Sequence, residues 1–247
     1  MKLQRIWLHA RWMTLELLRQ PTYLVSTLAF PALFYLIFAV PESKERATAN
    51  FLMASFSGFA VFGVIFLQFG VGLAQERTQS WHQYLKTLPI HPLAFLLARF
   101  VSSFIFALMT ALVIVALALT LTPAQLNSRA WLEFFLALLG GGFAFCFLGI
   151  ALGFWSNEKT SLPLGNLIYL PLTFAGGLWK PPALLPESIR SVSEYLPTRF
   201  YGEILWAVVQ GQNVASKYAW GLFGYALLFS IVAAWGYRRD LDYRVRG

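Results

Sequence analysis

Six stretches of this chain, approximately 22 to 40, 51 to 73, 97 to 121, 132 to 155, 160 to 179 and 218 to 237, each run for roughly 20 residues with almost no charge. An α-helix rises about 1.5 Å per residue, so about 20 apolar residues cover the ~30 Å hydrocarbon core of a bilayer. Strands of a membrane barrel would alternate apolar and polar residues with period two. These runs are apolar on every face, as a helix surrounded by lipid and other helices requires. The expected fold is therefore all-α, a polytopic membrane protein with six transmembrane helices in one domain, 1–247. Composition agrees, since 58% of the residues are hydrophobic and 12% charged, outside the range of a soluble domain.

The first 19 residues carry Lys2, Arg5, Arg11 and Arg19 ahead of an apolar run. That run is too long for a secretory signal and no small-residue cleavage site follows it, so a retained first span is expected. Cys146 lies inside the fourth run and reads as a small apolar side chain, with no disulfide framework available to a single cysteine.

Six crossings put both termini on one side. That side then holds 12 cations, in the amino segment, the loop after run two (Arg77, Lys86, Arg99), Lys159 and the tail (Arg238, Arg239, Arg244, Arg246), against 7 opposite. By the positive-inside rule the richer side faces the cytoplasm. The net charge of +8 is then absorbed by topology and by anionic headgroups, and no nucleic-acid partner is expected.

Three segments lie between or before the runs. Residues 1–20 put Leu3, Ile6, Trp7, Ala10, Thr14, Leu17 and Leu18 on one helical stripe, with Pro21 as a stop, which predicts a basic amphipathic helix in the headgroup plane. In the loop 75–92, Trp81, Tyr84, Leu85 and Leu88 recur at helical spacing until Pro89. Glu76 and Arg77 stand where run two leaves the lipid, a position from which a charged pair can lock span to loop. The segment 180–217 has Pro186-Glu187 to open one short helix and Pro197 to open another ending near Gly211. That predicts two short helices at the outer face, re-entrant in character, before the last span.

No G-x-x-x-x-G-K-[ST] string and no Gly-Lys pair occur in the chain, so no P-loop can form from it. His9, His82 and His91 lack metal-ligand spacing, and neither a G-x-S-x-G elbow nor an H-E-x-x-H pair is present. No catalytic and no metal site is expected. Within the runs the polar groups are Gln68, Asn166 and a few hydroxyls (Ser102, Ser103, Thr110, Thr173), too few titratable groups for an ion-coupled carrier. Gln68 and Asn166 are candidates to line a pathway, with hydrogen bonding between helices as the alternative use. Gly140 to Gly142, Gly149 and Gly153 give run four a face for close helix approach.

The string "ERTQSWHQYLKTLPIHP", with Glu76, Arg77, Leu85, Pro89 and Pro92, resembles the stretch after the second span in type-2 ABC transporter permeases. The segment "GGLWKPPALLPESIRSVSEYLPTRFYGEIL" is similar to that family's Gly, Pro, Leu-Pro, second Leu-Pro and aromatic order before the last span. Family members often carry Gly-Thr-Leu-Glu in the loop helix, where this chain has Gln79, Ser80 and Trp81. The resemblance covers nearly the whole chain and implies a permease domain with an elbow helix, a cytoplasmic coupling loop at 75–92 and outer-face helices at 180–217. It further implies a dimer of such subunits, homodimeric or heterodimeric, with two separate P-loop ATPase subunits that bind the ATP and magnesium. Trp81, Tyr84, Leu85 and Leu88 would dock on the ATPase, Glu76 and Arg77 would tie the coupling helix to span two, and Glu158 and Lys159 in "SNEKTS" would form a second contact. The implied activity is outward movement of a hydrophobic or amphipathic molecule across a bacterial or archaeal cell (inner) membrane, with both termini cytoplasmic. A permease for lipid-linked polysaccharide and an ATPase-independent carrier are the alternatives. A membrane-embedded transferase or protease would need clustered polar catalysts, which the runs lack.

Overall fold

The structure, a computed structural model, describes residues 3–78 and 92–245, and every regular element among them is helical. In chain order these are α1 (Leu3–Leu18), α2 (Pro21–Phe34), α3 (Arg46–Thr78), α4 (Pro92–Leu121), α5 (Ser128–Trp155), α6 (Ser161–Ala175), α7 (Glu187–Ser193), α8 (Pro197–Val209) and α9 (Ser216–Val245). A π turn (Tyr35–Ala39) and a 3₁₀ turn (Val40–Glu42) continue α2. Boundaries follow local chemistry. Pro21 and Pro197 stand in the first turns of α2 and α8, where a missing N–H costs nothing. Asn127 caps α5 by accepting the Ala130 N–H at 2.7 Å.

Helix α3 is the centre of the molecule. Of its most apolar window 72% is buried, against 22% for the α2 segment and 17% for α9. Around it stand α4, α5, α6 and α8, while α9 packs on α5 and α8, and α1 and α2 pack on α4. The rings of Phe56, Phe59, Phe62, Phe66 and Phe69 are fully buried, with Phe62 4.1 Å from Phe145 and Phe59 stacked on Tyr169 at 5.0 Å between centroids. Helices α3 and α5 approach backbone to backbone at Gly149, where a Cβ would lie 2.6 Å from the Phe66 carbonyl oxygen. Buried hydroxyls and indoles find acceptors across these contacts. Tyr201 donates to the Leu138 carbonyl (2.7 Å), Tyr169 to that of Phe59 (2.9 Å) and Trp206 to Ser55 Oγ (2.7 Å).

Five helical segments are long and apolar enough to cross a membrane: Pro21–Glu42, Arg46–Arg77, Leu96–Leu121, Ser128–Trp155 and Ser216–Asp240. The polytopic all-α class expected from the sequence is thus the class observed. The run at 160 to 179 forms a shorter helix than expected, the 15 residues of α6, or about 22 Å. Gly177, at φ +85°, turns the chain there, and the prolines after it prevent continuation.

The two short helices expected within 180–217 form, as α7 and α8, and α8 buries Tyr201, Leu205, Trp206 and Val209. Helix α1 buries Ala10 and Thr14, whereas Trp7, two turns earlier on the same stripe, is 63% exposed. Helix α1 packs on α4 and leaves Trp7, Leu8 and Trp12 facing outward.

Candidate functional site

Helix α3 is 33 residues long, so its last turns project past the apolar core and carry Glu76 and Arg77. Adjacent helical residues point about 100° apart, which sends these two side chains to different neighbours. Glu76 pairs with Arg99 on α4. The same guanidinium donates through Nη1 to the Gln68 carbonyl at 2.6 Å, so Arg99, only 3% exposed, clasps α3 at two points. Gln68 adds a longer contact from Nε2 to Ser102 Oγ at 3.5 Å.

Arg77 turns the other way. Its Nη2 pairs with Asp240 on α9, its Nη1 donates to the Gly153 carbonyl of α5 at 2.6 Å, and its guanidinium lies over the Phe154 ring at 5.2 Å. The Gly153 carbonyl is one of the last four of α5, which have no partner within the helix and carry the negative end of its dipole. A planar cation with two separate N–H groups satisfies that carbonyl and a carboxylate at once. The ends of α5 and α9 are joined alongside. Trp155 donates to the Val232 carbonyl at 3.2 Å, Arg239 stacks over Trp155 at 5.0 Å, and Phe154 meets Tyr237 edge-on at 5.4 Å. Four helix ends therefore converge on the Glu76-Arg77 dipeptide.

The exposed residues Glu158 and Lys159 follow in the turn after α5, which is ordered by the Asn157 carboxamide accepting the N–H of Lys159 (3.0 Å) and of Thr160 (3.1 Å). Trp81, Tyr84, Leu85 and Leu88 lie outside the described residues. Gln68 is buried, with Nε2 3.5 Å from Ser102 Oγ on α4, while Asn166 is exposed on α6 beside the exposed Leu167. Glu76 and Arg77 were expected to lock span to loop; residues 79–91 of that loop lie outside the described residues, and the described partners of the pair are on neighbouring spans.

Two members of this cluster, Arg99 and Asp240, were not singled out from the sequence. Arg99 is a lone cation inside "FLLARFVSS", and Asp240 is the first of two acids that follow two arginines in "YRRDLD". Each is a charge whose placement beside apolar sequence called for a partner.

The description "ABC-2 type transporter" belongs to a family that matches residues 4–210. A Bacillus subtilis (strain 168) protein with the name "Putative transport permease YvfS" is 25% identical over 231 residues, which cover 91% of this chain and 94% of that protein. The family match takes in α1 from residue 4 through α8, with Glu76, Arg77 and Arg99, and stops short of α9 and Asp240. The chain belongs to the ABC-2 type transporter family and is a multi-pass membrane permease of an ABC transporter.

Proposed function

We propose that this chain is the transmembrane subunit of an ABC exporter, moving a hydrophobic or amphipathic molecule outward with work done by a separate cytoplasmic ATPase, where ATP and magnesium bind. The observation that carries this reading is the joint at Glu76 and Arg77. It sits immediately before residues 79–91, the segment that resembles the family's coupling helix, and it links α3 to α4, α5 and α9 through charged hydrogen bonds. A push on that segment reaches four helices at once. Trp81, Tyr84, Leu85 and Leu88 supply the apolar docking face, and Glu158 with Lys159 a second contact in the neighbouring turn.

Six crossings with both termini in the cytoplasm agree with the path of the chain. Helix α5 ends at the joint, and α9, 30 residues or about 45 Å long, also ends there. Helix α9 thus begins at the far side, and α6 is the helix available to carry the chain across. The cation-rich side is then the side of the joint.

A second permease subunit is supported by Asn166. Its exposed carboxamide on an apolar helix would face hydrocarbon unpaired, and a helix from another subunit relieves that cost. The test is co-purification with a P-loop ATPase in lipid nanodiscs. Wild-type chain forms a stable complex, and Glu76→Ala with Trp81→Ala loosens it. A double mutant that keeps wild-type association and ATP-dependent export, or labelling that finds residues 79–91 outside the cell, would overturn the proposal.

A further inference from the structure

Helix α9 packs on α5 and α8 and has little direct packing against α3. Among the described residues, Arg77 of α3 and Asp240 of α9 form an ion pair at the joint. Arg77 is forked, with Nη1 on the α5 carbonyl of Gly153 and Nη2 on Asp240 of α9. The ends of α5 and α9 also touch through Trp155, Arg239 and the Phe154-Tyr237 pair, mostly ring contacts that orient α9 less firmly than the ion pair does. Side-chain exposures of 18% for Arg77 and 14% for Asp240 keep the pair largely out of water, where a stranded partner is costly.

We infer that Asp240 is a positioning residue of the transport cycle, the point at which displacement of α3 is handed to the last helix, so that α3, α5 and α9 move as one unit at the cytoplasmic end. The inference rests on the coupling role proposed for the Glu76-Arg77 joint. Its physical basis is directional. Apolar packing lets helices slide past one another, whereas a forked guanidinium holding a carbonyl and a carboxylate fixes both distance and angle. Lysine at position 77 would keep the charge and lose the fork, since an ammonium cannot present two parallel planar donors.

The test needs no knowledge of the substrate. In a Cys146→Ala background, an environment-sensitive fluorophore is attached at Lys217, on the far end of α9, and a second at Gln75, near the end of α3. The ATPase complex is then compared nucleotide-free and trapped with ATP, magnesium and vanadate. Both reporters respond in the parent. In Asp240→Ala the Gln75 response persists and the Lys217 response falls about threefold or more, while Asp240→Glu retains both and Arg77→Lys falls between. An Asp240→Ala complex with an undiminished Lys217 response overturns the inference.

Should Asp240→Ala fail to fold, a measurement with residue 240 intact decides. Paired distance labels at Gln75 and Tyr237 are expected to keep their separation through the nucleotide cycle, and a change beyond about 2 Å, the scale of a helix shift, refutes the rigid joint. A wild-type chain that binds no ATPase is a different result, seen before any variant is made, and it overturns the proposed function together with this inference.

Discussion

Replacing Gly149 by alanine tests whether the backbone approach of α3 and α5 organises the fold. The new Cβ would lie 2.6 Å from the Phe66 carbonyl oxygen, 2.7 Å from Phe69 Cβ and 3.3 Å from the Gly70 nitrogen. Non-bonded carbons rest about 3.5 to 4.0 Å apart, so about 1 Å of relief is required. None of the three atoms belongs to a side chain that can swing away, and α5 must therefore shift as a body. A gap of that size forfeits a quarter to a half of each dispersion contact along the seam, and overpacking of this kind costs about 1 to 3 kcal/mol.

Gly140 is the control, on the same helix with nothing within 4 Å of its would-be Cβ. Both substitutions gain the same helix propensity, about 1 kcal/mol, so their difference isolates packing. For a chain of this size 1 kcal/mol corresponds to about 2 to 4 °C. Gly149→Ala should therefore melt about 2 to 12 °C below Gly140→Ala, read by fluorescence-detected size exclusion after heating in detergent. Equal melting of the two variants would refute the seam as described.

Two further variants follow from single contacts. Arg99→Met removes the buried cation that pairs with Glu76 and should destabilise by about 3 kcal/mol, whereas adding Glu76→Gln should recover part of the loss, because removing both charges also removes the desolvation cost. Equal melting of the single and double variants would show that the ion pair is not the cause. Tyr201→Phe deletes the donor to the Leu138 carbonyl and should cost about 1 kcal/mol, seen as a melting shift of a few degrees with assembly preserved.

The apolar runs were legible because length and all-round hydrophobicity are local properties. Which run lies at the centre was not. The window of α3 has a mean hydropathy of 1.9 and is 72% buried, whereas that of α4 has 2.8 and is 39% buried. Lipid and protein interior are equally apolar, so hydropathy cannot rank them, and small residues mark the interior instead. Helix α3 carries Ala54, Ser55, Ser57, Gly58, Ala60 and Gly63 along its middle. The charged joint was legible in position, since Glu76 and Arg77 stand at the limit of an apolar run. Their partners were not, because Arg99 and Asp240 are chosen by tertiary packing and Asp240 lies 163 residues beyond Arg77.

The same contrast between directional and sliding contacts bears on which helices move. Helix α3 is pinned at its first turns as well. Arg46 (Nη2, 3.1 Å) and Asn50 (Nδ2, 3.1 Å) donate to the Gln125 carbonyl, and the Gln125 N–H returns to Asn50 Oδ1 at 2.8 Å, so the turn between α4 and α5 is held to the start of α3. Fastened in this way at both ends, α3, α4 and α5 behave as a frame. Helix α2 meets that frame through rings, with Phe34 stacked on Phe59 at 5.7 Å and edge-on to Trp179 at 5.1 Å, contacts that survive small slips because each is weak and non-directional. Relative motion during a cycle should therefore fall between α2 and α3 rather than between α3 and α5. In a Cys146→Ala background, a short thiol cross-link between Phe34→Cys and Phe59→Cys is expected to abolish the response of the complex to trapped nucleotide. The same cross-link between Phe62→Cys and Phe145→Cys should leave it intact. If both locks block the response alike, the frame is itself deformable and the division drawn between its pinned ends and its greased flank is wrong.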